Sequence, residues 1–213
     1  MKILLNDHVK FIRQDLEEAW NLKTDESGWQ DVVLPHDWAV SCPFDRNCSS
    51  GTGYLPGGTG WYRIHFDLPA GSEDKNISVF FEGVYKHASV WCNQYYLGKW
   101  ANGYTSFSFD LTGTVRERNN VLSVRVSHED ISDSRWYTGS GIERPVYLQI
   151  REKVFADEYD SSMETLMADE NHAQLRLCQA VRNSSDRSQH VSVRSFLGGT
   201  LFCEMEQEIP AGE

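Results

Sequence analysis

Between residues 30 and 150 the chain consists of short runs of alternating apolar and polar residues, separated by turn residues about every ten positions. The clearest run is Trp61–Leu68, in which Tyr62, Ile64 and Phe66 alternate with polar neighbours. A period of two places successive side chains on opposite faces of a β-strand. No convincing amphipathic helix interrupts the series. The spacing therefore predicts an antiparallel sandwich or barrel, and about eight strands favour a jelly-roll β-sandwich.

The other predicted strands follow the same pattern, and they cover residues 76–83, 88–92, 95–100, 104–111, 121–127 and 145–150. A further strand over residues 31–34 ends at Pro35, which cannot donate to a sheet. Residues 42–60 are predicted to form a loop because glycine and proline are dense there. One helical turn is expected around Asp15–Trp20.

A hairpin is predicted around Asn93-Gln94, between residues 88–92 and 95–100. The favoured two-residue turn needs positive φ at both central positions and usually has glycine in the second. Gln94 in that conformation costs about 1 kcal/mol relative to glycine. Either Gln94 carries this strain or the turn is of another type.

After Ile150 comes a segment, residues 151–166, that has a cluster of acidic residues and no glycine. This change in composition predicts a domain boundary. Alternation at 172–181, 189–197 and 200–209 indicates strands of a second β module. An immunoglobulin-like sandwich has seven strands, and only about four are present here. We therefore expect a jelly-roll domain over 1–152 and a partial immunoglobulin-like sandwich over 153–213, which another chain or further sequence completes. Its unpaired strand edges predict self-association through residues 155–213.

Composition excludes several classes of protein. The net charge of −11 argues against nucleic acid and anionic membranes as partners, because both require a basic face. No apolar run approaches the roughly 20 residues that a membrane span needs. The five cysteines are odd in number and contain no CxxC pair, so we expect reduced thiols. The first residues lack the pattern of a signal peptide, and a cytoplasmic location is expected.

A search for catalytic groups and metal ligands finds neither. His36 and Asp37 are neighbours in an extended segment, so their side chains point apart and cannot act as a base and its orienting acid. Gly139-Ser140-Gly141 is not a nucleophile elbow, and the histidines have no metal-ligand spacing. Glu143 is expected in a surface ion pair with Arg144 or Arg135.

The segment 133–144 combines features that a simple connection does not need. Arg135, Trp136 and Tyr137 place two aromatic rings beside a guanidinium, and Gly139 and Gly141 allow unusual backbone angles. Such a surface suits the C–H face and hydroxyl groups of a sugar ring. The alternative is a tight corner whose rings cap the core. The residues alone leave both interpretations open.

Five motifs in order resemble the N-terminal part of family 2 glycoside hydrolases, the β-galactosidase/β-glucuronidase group. The resemblance is strong over residues 1–150, weaker beyond, and closest to bacterial β-galactosidases. The motifs are Leu34-Pro35-His36-Asp37-Trp38, Gly57-Gly58-Thr59-Gly60-Trp61-Tyr62-Arg63, Phe81-Glu82-Gly83-Val84, Ala101-Asn102-Gly103-Tyr104-Thr105-Ser106-Phe107 with Asp110-Leu111-Thr112, and Ser134-Arg135-Trp136-Tyr137-Thr138-Gly139-Ser140-Gly141-Ile142.

The resemblance implies a jelly-roll (galactose-binding-like) domain, an immunoglobulin-like sandwich and then a barrel that carries both catalytic glutamates. A chain without that barrel is expected to be an inactive N-terminal fragment of a retaining β-galactosidase-type hydrolase. Its expected role is a rim loop that helps to bind a β-galactoside-type carbohydrate, through Asp133, Ser134, Arg135 and Trp136. The resemblance implies no cofactor in this chain, although a Mg²⁺ or Na⁺ ion can belong to the intact enzyme.

Two alternatives remain at this point. The chain could be a freestanding carbohydrate-binding module, or a structural or interaction β-sandwich without a ligand. The expected rim loop should be exposed and mobile, with Tyr137 and Ile142 as anchors of the corner.

Overall fold

The computed structural model describes residues 1–129, 134 and 136–212. The chain forms two compact units, one made of Met1–Glu73 and Ile77–Ile150, the other of Asp74–Asn76 and the chain from Arg151 onward. Both consist of β-strands, so the prediction of an all-β chain is confirmed. Within the described residues, no helix is long and apolar enough to cross a membrane.

The first unit contains three sheets. Its strands are β1 (Lys2–Leu4), β2 (Val9–Ile12), β3 (Gln30–Val32), β4 (His36–Asp37), β5 (Gly58–Phe66), β6 (Asn76–Phe81), β7 (Ala88–Cys92), β8 (Tyr95–Trp100), β9 (Phe107–Asp110), β10 (Asn120–His128), β11 (Gly141–Ile142) and β12 (Val146–Arg151). The six-stranded sheet has the order β3-β2-β5-β10-β7-β8, the four-stranded sheet β1-β12-β6-β9, and β11 pairs with β4. Single turns of 3₁₀ helix lie at Ala39–Ser41 and Ser50–Thr52.

One hydrophobic core joins the two larger sheets. Tyr62 and Ile64 of the six-stranded sheet and Val79 and Leu148 of the four-stranded sheet belong to it and are almost fully buried. As the period of two in β5 predicts, every second residue of this strand points into the space between the two sheets. This arrangement confirms the predicted β-sandwich.

The opposite face of β5 is covered by the segment that follows β2. Arg63 is 1% exposed there. Its Nη1 donates to the carbonyl oxygens of Ala19 (2.7 Å) and Asn21 (3.0 Å), and its Nε pairs with Glu26. The predicted helical turn around Asp15–Trp20 is wrong, because this segment consists of bends and turns. In a helix, backbone N–H groups would donate to carbonyl oxygens such as those of Ala19 and Asn21. Here the Arg63 guanidinium donates to them instead.

The hairpin between β7 and β8 has the strained turn, with positive φ at both central residues. Asn93 and Gln94 have φ of +47° and +79°. The Asn93 side chain explains how the turn is held. Its Nδ2 donates to Thr114 O (2.9 Å) and Asn120 Oδ1 (2.8 Å), and its Oδ1 accepts from Val121 N (3.0 Å). These buried bonds to neighbouring segments stabilise the positive φ values.

In the first unit, the other differences from the sequence-based expectation concern short elements. β5 begins at Gly58, inside the predicted loop, and β1, β2, β4 and β11 were not predicted. These four strands have two to four residues each. So few residues cannot display a period, and such strands form because a neighbouring strand is available.

The second unit consists of two antiparallel hairpins, made of β13 (Val154–Ala168) with β14 (Ala173–Asn183) and β15 (Gln189–Leu197) with β16 (Thr200–Ile209). A groove of about 260 Å³ lies between them and is lined in part by Val181, Val193 and Met205. Met205 is among the exposed apolar residues of this unit. The hairpins therefore leave apolar side chains uncovered.

Replacing Arg63 with methionine should cost about 3 kcal/mol or more in the free energy of unfolding of the first unit. The change leaves Glu26 without its buried partner. Arg125→Met is the matched control, because Arg125 pairs with the more exposed Asp15, and should cost less than about 1 kcal/mol. Urea unfolding followed by tryptophan fluorescence measures both, since all seven tryptophans belong to the first unit. Equal costs would contradict the role assigned to Arg63.

Candidate functional site

The described part of the 133–144 segment runs along β4. β11 pairs with β4 through Gly141 opposite Asp37 and Ile142 opposite His36. On its other side, Gly141 exchanges two backbone hydrogen bonds of 2.9 Å with Tyr85. Ile142 is fully buried in the core, which confirms it as an anchor of the corner. The end of the segment is thus fixed between two neighbours.

Asp37 connects β4 to the rest of this segment. Its Oδ1 accepts from the backbone N–H groups of Ala39 (2.9 Å) and Ser140 (3.1 Å). Its Oδ2 accepts from the hydroxyl of Tyr137 at 2.5 Å. Burial and, next, this hydrogen bond raise the pKa of Tyr137 well above its ordinary value. Tyr137 therefore stays a hydrogen-bond donor, and its predicted role as an anchor is confirmed through Asp37.

The carboxyl group of Glu143 lies beside that of Asp37. A Cβ atom placed on Gly139 would lie 1.6 Å from Glu143 Oε1 and 3.1 Å from Asp37 Oδ2, so the two carboxyl groups are immediate neighbours. Glu143 Oε1 is buried and has no hydrogen-bond partner within the described residues. Burial first, and the charge of Asp37 second, raise the pKa of Glu143 to about 8.

This environment corrects one of the two expected surface ion pairs of Glu143, the pair with Arg144. No salt bridge joins Glu143 to Arg144 among the described residues, and Arg135 lies outside them. Instead, the Arg144 side chain packs against Gly83. The pairing of β11 with β4 turns Glu143 towards Asp37. These two residues are far apart in the chain, so no local sequence pattern predicts their contact.

Glycine is required at two positions of the segment for steric reasons. Gly139 has φ of +76°, and a Cβ there would overlap the Glu143 carboxyl group. Gly141 has φ of +136°, and its Cβ would lie 2.4 Å from both His36 O and Tyr62 Oη. Both the backbone angle and the lack of space therefore exclude larger residues.

His36 faces away from Asp37, as expected for neighbours in a strand. Its Nδ1 lies 2.9 Å from the hydroxyl of the buried Tyr62. Burial lowers the pKa of His36. The side chains of His36 and Asp37 therefore have different partners and do not form a base with its orienting acid.

An open cavity of about 520 Å³ lies over these groups. Asp37, Val40, Tyr137, Thr138 and Glu143 line it together with Pro35, His36 and Gly139. It offers one apolar ring surface and several polar groups, the combination by which proteins usually bind small polar ligands.

The residue before Tyr137 in the chain carries an exposed aromatic ring. Trp136 is 61% exposed, and its Nε1 donates to the hydroxyl of Tyr104 at 2.8 Å. Tyr104 in turn packs edge-on against Tyr85, with ring centroids 5.3 Å apart. The Trp136 ring is therefore exposed to solvent while its polar edge is held by another segment.

The four sequence-predicted site residues have different outcomes. Asp133 and Arg135 lie outside the described residues. Ser134 Oγ donates to Trp136 O (2.7 Å) and accepts from Trp136 N (3.1 Å), so it shapes the local turn. The expected exposure is confirmed for Trp136.

Sequence reasoning missed Asp37, Tyr104 and Glu143 as members of this site. Asp37 and Tyr104 belong to motifs that carried the family resemblance, and membership of those motifs was the sequence signal that could have identified them. No group of three or more His, Cys, Asp or Glu side chains suited to a metal occurs in the described part of the chain.

Comparison with known proteins gives consistent matches. The sequence model described as "Glycosyl hydrolases family 2, sugar binding domain" matches residues 13–151. "Beta-galactosidase BoGH2A" of Bacteroides ovatus is 37% identical over 191 residues, which is 88% of this chain and 22% of that protein. A "Putative beta-glucuronidase" of Formosa agariphila is 34% identical over 145 residues, 67% of this chain and 14% of that protein.

Solved structures show the same similarity. A β-glycosidase from Bacteroides vulgatus superposes with a TM-score of 0.86 at 29% identity, over 98% of this chain and 28% of that one. A Bacteroides uniformis β-glucuronidase gives a TM-score of 0.84 at 26% identity, over 100% of this chain and 26% of that one. The chain thus spans only about a quarter of the length of these structures.

The raised pKa of Glu143 predicts how stability depends on pH. The folded state holds this proton up to about pH 8, whereas the unfolded state releases it near the ordinary value of 4.5. The free energy of unfolding should therefore fall as pH rises between these values and level off above. We expect the free energy of unfolding to fall by about 1–2 kcal/mol. This is less than the whole difference in pKa would give, because solvent reaches part of the side chain.

Glu143→Gln should remove this part of the pH dependence and make the first unit more stable than the wild type at pH 9. Urea unfolding at pH 5, 7 and 9, followed by tryptophan fluorescence, measures the effect. Glu117→Gln is the control, because Glu117 lies in an exposed pair with Arg118. An unchanged pH dependence in Glu143→Gln would show that Glu143 is not protonated in the folded state.

Proposed function

Because this chain belongs to glycoside hydrolase family 2, as the match over residues 13–151 shows, we propose that it supplies the sugar-binding rim of a retaining β-galactosidase-type hydrolase. The relatives named as β-galactosidase and β-glucuronidase are much longer than this chain. The two catalytic carboxylates are proposed to lie in a barrel outside these 213 residues. The chain alone is then inactive.

The observation that carries the proposal is the exposed and anchored ring of Trp136. A free surface tryptophan would lose conformational entropy on binding a sugar. The hydrogen bond from Nε1 to Tyr104 removes much of that freedom in advance. An aromatic face presented in this way stacks on the C–H face of a pyranose, while polar groups beside it bind hydroxyls.

The proposed sugar contacts are Trp136 together with Asp133 and Arg135, and Ser134 is proposed to hold the backbone of Trp136. The cavity between Asp37 and Tyr137 lies next to this group along the chain. The proposed ligand is the non-reducing sugar of a β-galactoside-type carbohydrate. Neither a nucleic acid nor a membrane is proposed as a partner, consistent with the net charge of −11.

We propose no cofactor for this chain. The acidic pair of Asp37 and Glu143 does not fit a cation. Asp37 already accepts three hydrogen bonds, so both of its oxygens are engaged by donors of the chain itself. Any Mg²⁺ or Na⁺ ion is assigned to the rest of the intact enzyme. A cytoplasmic location is also proposed, supported by five free cysteines.

Replacing Trp136 with alanine in the intact hydrolase should raise KM for an aryl β-galactoside about tenfold, the equivalent of 1.4 kcal/mol of lost stacking. Tyr95→Ala is the matched control, because Tyr95 is also 61% exposed but lies in the β7–β8 hairpin. Steady-state kinetics measures both variants. Equal KM values for wild type and Trp136→Ala would refute the proposed rim contact.

We also propose that the 213-residue chain self-associates through residues 155–213. Two-stranded hairpins are marginally stable by themselves, and the apolar groove of the second unit is uncovered.

Light scattering of the 213-residue chain should detect a dimer or a larger species. Met205→Glu, which places a charge in the groove, should shift it towards monomer, whereas Glu206→Gln on the opposite face of β16 should not. A monomeric wild type would overturn this proposal.

A further inference from the structure

We propose that Asp37 is the positioning residue for the sugar-contacting segment, holding residues 136–140 in the orientation that binding requires. This inference rests on the proposed function, but the structural link on which it depends can be tested separately. Asp37 belongs to β4, whereas the residues it holds lie about a hundred positions later in the chain. Its side chain therefore connects β4 to residues 137 and 140 of the later segment.

The two oxygens of Asp37 hold two points of the segment. Oδ2 accepts from the side chain of Tyr137, and Oδ1 accepts from the backbone of Ser140. The turn between these points contains Gly139, which has positive φ. Trp136 directly precedes Tyr137, so the orientation of the Tyr137 side chain constrains the backbone that presents the Trp136 ring.

The contacts of Asp37 fit a carboxylate. Asp37 receives three donors, from Ala39 N–H, Ser140 N–H and the Tyr137 hydroxyl. An ionised carboxylate has acceptor sites on both oxygens and no donor. Asparagine could keep Oδ1 for the two backbone N–H groups and donate from its NH₂ group to the Tyr137 hydroxyl, which is also an acceptor. Asp37→Ala removes all three contacts at the edge of an open cavity and therefore tests the link.

The remaining anchors show that this contact is not needed for the fold. Ser140 O accepts from Trp38 N (3.0 Å), and Gly141 is paired with Tyr85. The Ser140 hydroxyl also lies 2.8 Å from Nδ1 of the buried His128. Loss of the Asp37 contacts should thus release residues 136–139 while β11 stays in place. Because its oxygens are engaged by protein donors, Asp37 is not assigned a contact with the sugar.

The test combines kinetics of the intact hydrolase with proteolysis of the 213-residue chain. Asp37→Ala should lower kcat/KM for an aryl β-galactoside by about tenfold or more, mainly through KM. Tyr137→Phe should give part of this loss, and the double variant should be no worse than Asp37→Ala. Asp110→Ala is the matched control, because Asp110 also accepts from one backbone N–H and one hydroxyl, both of Thr112, away from the segment.

Proteolysis supplies a readout that does not depend on activity. Trypsin can cleave after Arg135, inside the segment, and mass spectrometry follows that cut specifically. Asp37→Ala and Tyr137→Phe should accelerate it at least fivefold relative to Asp110→Ala, at temperatures where all variants remain folded by tryptophan fluorescence. Unchanged cleavage in Asp37→Ala would overturn the proposal whatever the kinetics.

The two readouts together separate this inference from the proposed function. Faster cleavage with impaired kinetics supports the positioning role. Faster cleavage with normal kinetics in Asp37→Ala, while Trp136→Ala is impaired, overturns it. If cleavage is faster but Asp37→Ala and Trp136→Ala both have normal kinetics, the proposed sugar contact fails, and Asp37 remains the residue that holds the segment.

Discussion

The pairing of β5 with β10 over nine consecutive residue pairs is the contact on which the rest of the first unit depends. It brings alternate side chains of two long strands to the same core, where Tyr62, Ile64, Leu122 and Val124 are fully buried. The hydrophobic gain is about 1.5–3 kcal/mol for each large side chain. Burial on this scale specifies the register, because a slip by one residue would turn every apolar side chain outward.

Tyr62 transmits this register to the candidate site. Its ring is buried in the core, while its hydroxyl lies 2.9 Å from His36 Nδ1 and close to Gly141. The position of β4 relative to β11 is therefore set from inside the sandwich. The polar groups of the site, above all Asp37, are attached to this fixed base. A rigid sheet thus orients an exposed segment, the usual way in which a scaffold supports a functional loop.

The sequence predicted the features that have a period or a motif. Alternation located the long strands such as β5 and β10, and the string from Ser134 to Ile142 drew attention to the segment that contacts β4. The pair of Glu143 with Arg144 was predicted wrongly, because strand pairing between positions a hundred residues apart decides which carboxyl groups meet. The short strands β4 and β11 were missed for the same reason. Two residues have no period, and only tertiary contacts determine their structure.

The account makes one central claim, that the segment around Trp136 contacts the sugar. A crystal structure of the intact hydrolase with a bound galactoside tests it most directly. The account predicts that the Trp136 ring lies against the C–H face of the non-reducing sugar, with centroids about 4.5–7 Å apart. It also predicts that Asp37 accepts from Tyr137 and Ser140 in that complex. A sugar bound without any atom of residues 133–144 within contact distance would contradict the account.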